Sequence, residues 1–196
     1  MTSKTLKYPA VYIDRDGTIN EEAGYISHPN NFVLYPFAAH AIKLFNVKNI
    51  YVFVVTNQSG LAKGYFNERT LKSIHKKMIF LLKEAGAKID NIYICPHDKD
   101  GVVAKYRKNC YCRKPNPGLI LKSFAAYNNI DKEHIYLIGD KYSDIAISKH
   151  ITFRKTILVK TGYGLSTMEK LRNSNLDSIY IAENLLFAAL EILKDI

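Results

Sequence analysis

Short apolar runs alternate with longer amphipathic stretches along this chain, and that alternation is typical of strands that take turns with helices. The clearest strand is residues 50–55, because every residue in it is β-branched or aromatic and it reads as buried on both faces. The pattern predicts strands over residues 10–13, 50–55, 92–95, 135–138 and 156–159.

Helical spacing of apolar positions marks the stretches between these runs. The longest helix is expected to begin at Asn67, whose side chain can cap the first free amides, and to run to about Ala85, where Gly86 closes it. Pro117 fits the first turn of another helix, since an amide hydrogen is not needed there. The predicted helices cover residues 37–47, 67–85, 117–127, 143–149 and 182–193.

This order of elements predicts the α/β class, with a Rossmann-like, doubly wound parallel sheet and helices on both faces. We treat residues 1–196 as a single domain, because that length fits one hydrophobic core and no linker or repeat is visible. In such sheets, ligands bind beyond the carboxyl ends of the strands. The polar residues at those ends are Asp14, Asp16, Thr56, Asn57, Asp140 and Asp144.

Composition and charge narrow the functional class. Hydrophobic residues make up 47% of the chain and charged residues 23%, which is the balance of a globular protein. The chain has no apolar run of about 18 residues, and residues 1–8 lack the apolar stretch of a signal peptide, so we expect a cytoplasmic protein without membrane contact. The formal net charge of +10 favours an anionic partner, either a phosphorylated metabolite or nucleic acid, although it also fits a surface that only maintains solubility.

Polar groups at three strand ends carry the first chemical signal. Asp14 and Asp16 follow the first predicted strand, Thr56 ends the second, and Asp140 follows the fourth, while Lys114 supplies a cation before a helix. An Asp-Gly pair after a strand also fits a solvated turn. Acids at several strand ends favour a site instead, because carboxylate oxygens are the ligands that Mg²⁺ prefers.

All three cysteines lie between positions 95 and 112, which is the second chemical signal. Cys95, His97, Cys110 and Cys112 form a Cys₃His set, the ligand count of a closed structural zinc site. Three free thiols and a surface histidine are the alternative. A zinc ion here would hold the loop that leads directly into Arg113.

The acidic motifs resemble, in the same order, those of the haloacid-dehalogenase-like phosphatases. The matching residues are Asp14-Arg15-Asp16-Gly17-Thr18, Thr56, Lys114 and Asp140. The resemblance implies that Asp14 is the nucleophile and forms an aspartyl-phosphate. It implies that Asp16 is the general acid and base, and that Thr56 and Lys114 hold the phosphoryl oxygens.

The same resemblance implies a Mg²⁺ site. Its ligands would be Asp14, the backbone carbonyl of Asp16, and Asp140, with Asp144 supporting them. About 18 residues separate Thr18 from the first predicted helix, so we expect no large cap domain.

The cysteine motifs narrow the resemblance to the D-glycero-D-manno-heptose-1,7-bisphosphate 7-phosphatases, within a histidinol-phosphatase-like subgroup. Cys-Pro-His, Cys-x-Cys-Arg-Lys-Pro and Gly-Asp-Lys carry it, and it covers residues 10–164. It implies a phosphoric monoester hydrolase that supplies heptose for lipopolysaccharide biosynthesis. One position departs from the family pattern, since Ala23 stands where a His is expected. The implied substrate-contacting residues are Glu22, Ala23, Gly24, Tyr25, Asn57, Gln58, Ser59, Arg113 and Lys141.

Three other functions remain open. A histidinol-phosphate phosphatase shares the motifs, and a polynucleotide 3′-phosphatase is a second possibility on the same scaffold. A zinc-stabilised nucleic-acid-binding module without catalysis is the third, but it does not require acids at three strand ends. We therefore expect a monomer that acts on a small phosphorylated sugar and binds neither nucleic acid nor membrane. We interpret His40, His75 and His134 as surface or packing residues.

Overall fold

One parallel sheet organises the chain in a computed structural model that describes residues 6–172 and 178–196. Within those residues the sheet has six strands, in the order β3-β2-β1-β4-β5-β6. Every neighbouring pair is parallel, so all the carboxyl ends lie along one edge. The strands are β1 (Tyr8–Ile13), β2 (Tyr51–Asn57), β3 (Asn91–Cys95), β4 (Ile130–Gly139), β5 (Lys155–Val159) and β6 (Ile179–Ala182).

Helices connect the strands and cover both faces of the sheet. The α-helices are α1 (Ala38–Val47), α2 (Glu68–Glu84), α3 (Gly118–Ala126), α4 (Tyr142–Ile145), α5 (Gly164–Leu171) and α6 (Leu185–Ile192). Short 3₁₀ helices occupy Pro29–Asn31, Ala104–Tyr106, Ala146–Lys149 and Leu193–Asp195. Among the described residues, no helix combines the length and the apolar character that a membrane span requires.

The core has two layers because side chains alternate along a strand. Val11 and Ile13 of β1 pack with α1, α2 and α6 on one face, whereas Ala10 and Tyr12 pack with α3 on the other. The hydroxyl of Tyr12 lies 2.6 Å from the buried hydroxyl of Ser123, which satisfies both polar groups inside the second layer. β1 is therefore buried on both sides, and its end is held firmly at the centre of the sheet.

The predicted α/β class and parallel sheet are confirmed, and so is the cap of α2. Asn67 accepts a hydrogen bond from the amide of Thr70, and Gly86 follows the helix with a positive φ of 73°. The predicted helix over residues 143–149 is α4 followed directly by a 3₁₀ turn. The treatment of residues 1–196 as one domain stays a prediction.

The last third of the chain differs from the prediction. Ala182 ends strand β6 instead of beginning a helix, and α6 begins after Asn184, whose side chain caps the amides of Leu186 and Phe187. The apolar strand and the largely apolar helix are separated by only two residues, so periodicity alone does not divide them. Helix α5 was not predicted, and β4 begins at Ile130, five residues before the predicted start.

Candidate active site

The carboxyl ends of β1, β2 and β4 meet at one place because of their register. Ile13 pairs with Val54 on one side and with Ile138 on the other. A pocket of about 460 Å³ opens above this point, and the buried side chains of Asp14 and Thr56 line it. The predicted strand-end residues are thus brought to one edge of the sheet.

Lys114 reaches this point from the loop before α3. Its ammonium lies 2.7 Å from Oδ1 of Asp14 and 2.7 Å from Oδ1 of Asp144, and it donates to the carbonyl oxygen of Val55 at 2.8 Å. Burial alone would lower the pKa of Lys114, but the two carboxylates outweigh burial and raise it. Lys114 is therefore a buried cation that makes two hydrogen bonds and a second ion pair.

Asp140 brings a further carboxylate into the same buried space. Oxygens of Asp14, Asp140 and Asp144 lie within 4.8 Å of one another. Burial, followed by the charges of Asp14 and Asp144, raises the pKa of Asp140 to about 8. Like charges this close call for a cation besides Lys114, because desolvated carboxylates repel strongly.

The surroundings of Asp140 leave one oxygen available to such a cation. Oδ2 accepts a hydrogen bond of 2.8 Å from the amide of Tyr163, whereas Oδ1 is buried and has no hydrogen-bond partner among the described residues. A Cβ at Gly17, which has a φ of 85°, would lie 2.2 Å from Oδ2. The residues present therefore fit a divalent cation, since they offer an orphaned carboxylate oxygen beside two more acids.

Asp16 is held by a dense set of donors. The guanidinium of Arg15 donates to both of its oxygens, at 2.6 and 2.7 Å from Nη2, and at 3.0 Å from Nε to Oδ1. Asn20 and Gln58 each add a hydrogen bond of 3.0 Å. Burial would raise the pKa of Asp16, but Arg15 and these amides outweigh burial and lower it. Gln58 also donates to the hydroxyl of Thr56 at 2.9 Å, which leaves the hydroxyl hydrogen free for another acceptor.

The rim of the pocket contains most of the predicted substrate-contacting residues. Glu22 pairs with Lys141 at 2.5 Å, and Lys141 also lies over the ring of Tyr163. The side chain of Asn57 holds the backbone of Lys114 through its amide and carbonyl. Of the nine predicted residues, eight line the pocket: Glu22, Gly24, Tyr25, Asn57, Gln58, Ser59, Arg113 and Lys141. Ala23 is exposed and lies outside that lining.

The four predicted zinc ligands lie together beside this pocket. The sulfur of Cys112 lies 3.3 Å from those of Cys95 and Cys110, and Nδ1 of His97 lies 3.3 Å from Cys112 Sγ. These separations are too long for a disulfide, and they place the four ligand atoms close enough together to surround one ion. All four ligand atoms lie within 4.8 Å of one another, so the cluster fits a closed metal site.

The loop that carries the Cys-His cluster connects directly to the pocket. Arg113 follows Cys112, donates from Nη1 to the carbonyl oxygen of His97 at 2.9 Å, and lies 3.5 Å from Asp98. The cation that faces the pocket is therefore anchored on the backbone of the Cys-His cluster.

Several pocket residues were not predicted. Tyr163, Ser166, Thr167 and Lys170 come from α5 and its preceding turn, which the pattern of apolar residues did not reveal. His75, a surface or packing residue by the sequence interpretation, does not line the pocket, but its Nε2 lies 3.1 Å from Nη1 of Arg15. No sequence signal links α2 to the first strand end, since that contact depends on how the helix docks.

Comparison with known proteins places these features in a family. The HAD-hydrolase-like family model matches residues 111–187. A D-glycero-beta-D-manno-heptose-1,7-bisphosphate 7-phosphatase from Yersinia pestis is 37% identical over 81% of this chain and 84% of that protein. A D-glycero-alpha-D-manno-heptose-1,7-bisphosphate 7-phosphatase from Photorhabdus laumondii is 35% identical over 88% of this chain and 95% of that protein.

A solved structure is similar over nearly the whole chain. It is the D,D-heptose 1,7-bisphosphate phosphatase from B. bronchiseptica, complexed with magnesium and phosphate. The TM-score is 0.84 at 29% sequence identity, and the match covers 96% of this chain and 99% of that one.

Proposed function

Since this chain belongs to the heptose-1,7-bisphosphate 7-phosphatase family of HAD-like hydrolases, we propose that it removes the 7-phosphate of D-glycero-D-manno-heptose 1,7-bisphosphate. The chain is a phosphatase by family. The observation that carries the assignment of its site is the convergence of Asp14, Thr56 and Lys114 on one pocket at the end of the central strand. Cations at its rim, Arg113 and Lys141, suit a substrate with two phosphates.

Asp14 is the proposed nucleophile. Its carboxylate oxygen attacks phosphorus, the bond from phosphorus to the sugar oxygen breaks, and an aspartyl-phosphate forms. Water then attacks that phosphorus and regenerates the carboxylate with release of inorganic phosphate. The position of Asp14 directly after the buried strand β1 supports this role, since the strand fixes the attacking atom.

Lys114 and Thr56 are the proposed phosphoryl-binding groups. The hydroxyl of Thr56 has a hydrogen free to donate, because Gln58 already donates to its oxygen. Lys114 donates to Asp14 and Val55 and is paired with Asp144, and a phosphoryl oxygen is proposed to take the place of the contact with Asp14. That exchange would release the Asp14 carboxylate for attack while the charge of the lysine stays in place.

Asp16 is the proposed general acid and base. It protonates the leaving sugar oxygen in the first step and takes a proton from water in the second. Hydrogen bonds from Asn20 and Gln58 fix the side chain close to Thr56. Because they favour the carboxylate, they support the second step, in which Asp16 takes a proton from water. Asp144 is the proposed partner that keeps Lys114 charged and in position.

Asp14, Asp140 and the backbone carbonyl of Asp16 are the proposed Mg²⁺ ligands. When bound, Mg²⁺ neutralises negative charge on the phosphoryl oxygens. The orphaned Oδ1 of Asp140 supports this assignment, and the magnesium in the related B. bronchiseptica structure is consistent with it.

Cys95, His97, Cys110 and Cys112 are the proposed ligands of a structural Zn²⁺. A closed set of four leaves no open coordination position, so this site is proposed to hold the loop in place without taking part in the chemistry. Its attachment to Arg113 gives it an indirect role in substrate binding.

Phosphate release in the presence of Mg²⁺ tests the proposal directly. The substrates are the two anomers of heptose 1,7-bisphosphate, histidinol phosphate and a 3′-phosphorylated oligonucleotide. Preference for one heptose anomer supports the proposal and identifies the anomer. Preference for histidinol phosphate or the oligonucleotide would reassign the substrate and keep the chemistry. The cytoplasmic location, the monomeric state and the role in lipopolysaccharide biosynthesis stay predictions.

A further inference from the structure

We propose that His75 and Arg15 are positioning residues that hold the Asp16 carboxylate in place for proton transfer. The inference rests on the proposed function and adds two residues to it. His75 lies on α2, far from Asp16 in sequence, and contacts it only through Arg15, with 3.1 Å between its Nε2 and Nη1 of Arg15.

Arg15 is the largest fully buried side chain among the described residues, with 1% of its surface exposed. Its Nε and Nη2 groups both bind Asp16, which directs Nη1 away from that carboxylate. A buried guanidinium hydrogen without a partner is costly, and His75 provides an acceptor for it. The contact with His75 therefore sets how the guanidinium plane is oriented around Asp16.

The contact requires a neutral His75. Arginine is only a donor, so Nε2 of His75 must carry a lone pair and the ring hydrogen must lie on Nδ1. Burial is the main cause that lowers the pKa of His75 to about 3, and the positive charge of Arg15 lowers it further. The negative charge of Asp16 raises this pKa, but by less. The acceptor is thus present across the whole neutral range, and the arrangement does not depend on working pH.

Both oxygens of Asp16 are held by this arrangement together with Asn20 and Gln58. A general acid must reach the leaving oxygen from one defined place, because small displacements weaken proton transfer strongly. Removing the acceptor at position 75 leaves a buried Nη1 hydrogen without this partner, so the guanidinium would shift toward another acceptor and its hold on Asp16 would weaken. Asp14 and Lys114 pair with each other and not through His75, so the attack on phosphorus is expected to stay intact.

Substrates whose leaving groups differ in basicity distinguish proton transfer by Asp16 from the attack on phosphorus. A sugar alkoxide leaves only when it is protonated, whereas p-nitrophenolate leaves without a proton. The test measures kcat and KM of wild type, His75→Leu and His75→Gln on heptose 1,7-bisphosphate and on p-nitrophenyl phosphate. Gln keeps an acceptor oxygen for Arg15, while Leu has none. His40→Leu is the matched control, since His40 is exposed on α1.

His75→Leu is expected to lower kcat on the sugar phosphate at least about 10-fold, with KM within about 2-fold. On p-nitrophenyl phosphate kcat should change by less than about 2-fold, and His75→Gln should recover most of the loss. An equal loss on both substrates, or no loss in His75→Leu, overturns the inference. If His75→Leu does not fold, Arg15→Lys replaces it, because Lys keeps the positive charge and loses the forked hydrogen bonds. The ratio of kcat on the bisphosphate to kcat on p-nitrophenyl phosphate should then be lower in Arg15→Lys than in His75→Gln. Absence of Asp14-dependent phosphate release from heptose 1,7-bisphosphate in wild type would instead reject the proposed function.

Discussion

The ammonium of Lys114 lies 2.7 Å from Oδ1 of Asp14, although 100 residues of chain separate the two. Both side chains are almost fully buried. The same ammonium also pairs with Asp144, so one cation compensates two carboxylates inside the protein. Stability and catalysis therefore depend on the same ion pair. Mutations can separate the effect on stability from the effect on activity.

Lys114→Met is expected to lower the free energy of unfolding by about 3–5 kcal/mol, because it leaves buried carboxylates without their cation. Phosphatase activity should be lost as well, since no positive charge remains to face the phosphoryl group. Urea denaturation and phosphate release measure the two effects. Lys114→Met/Asp144→Asn should recover part of the stability and none of the activity. Full stability in the single variant would contradict the assignment of this ion pair.

Asp14→Asn is expected to abolish turnover, by at least about 10³-fold in kcat, because an amide oxygen does not attack phosphorus. The fold should persist, and the variant should lose the acid-stable phosphate label that wild type acquires during turnover. Rapid acid quench with labelled substrate measures that label. Asp100→Asn is the control, since Asp100 is exposed. Normal turnover in Asp14→Asn would show that another group attacks.

Much of this arrangement follows from local sequence patterns. The strand that ends just before Asp14, the strand that ends near Thr56 and the cap at Asn67 are all encoded within a few residues, so periodicity and capping rules predict them. The sharing of Lys114 between Asp14 and Asp144 depends on three separate segments. No local rule encodes such a contact.

The features that the sequence did not predict also depend on contacts between distant segments. His75 has ordinary helical neighbours, and only the docking of α2 places it against Arg15. Helix α5 is short and amphipathic, and it follows a turn with a positive φ at Gly162. A Cβ at Gly162 would lie 2.3 Å from Asp140 Oδ2, so this glycine is required by a residue 22 positions away. Tertiary contacts of this kind are beyond single-sequence patterns.

Cys110→Ser is expected to release zinc and to lower the free energy of unfolding by about 3 kcal/mol or more, because structural zinc contributes directly to folding. Metal analysis of the purified protein and thermal unfolding measure the two effects. Turnover of p-nitrophenyl phosphate at low temperature should fall less than turnover of the bisphosphate, since Arg113 is anchored on the loop that carries the Cys-His cluster. Wild-type protein without zinc after chelator-free purification would contradict the proposed site.

The lowered pKa of His75 leads us to expect a specific pH dependence of the free energy of unfolding. Its pKa falls from 6.5 to about 3 on folding, next to the charged Arg15 and Asp16. Between these values the unfolded chain binds a proton that the folded protein excludes, so the free energy of unfolding rises with pH up to about 6.5 and then levels off. His75→Gln should reduce this slope by up to about 1.4 kcal/mol per pH unit. Urea titrations at pH 4.5, 5.5 and 7.5 measure it, and an unchanged slope would contradict a half-buried, neutral His75.

The raised pKa of Asp140 should give the opposite pH dependence of the free energy of unfolding in metal-free protein. Its pKa rises from 3.8 to about 8 on folding, because it is buried beside Asp14 and Asp144. Between these values the folded protein holds a proton that the unfolded chain lacks, so this group lowers the free energy of unfolding as pH rises toward 8. In EDTA at pH 8, Asp140→Asn should therefore be as stable as wild type or more stable.

Magnesium should reverse that order, because a cation that binds only the folded protein stabilises it by mass action. At about 100 times its dissociation constant, Mg²⁺ should add about 2.7 kcal/mol to wild type. It should add almost nothing to Asp140→Asn, which has lost the carboxylate oxygen left free for the ion. Thermal unfolding of both proteins at pH 8, in EDTA and in Mg²⁺, gives the four values needed. If Mg²⁺ stabilised both proteins equally, the ion would have to bind away from Asp140, and the repulsion among the three buried carboxylates would need another source of relief.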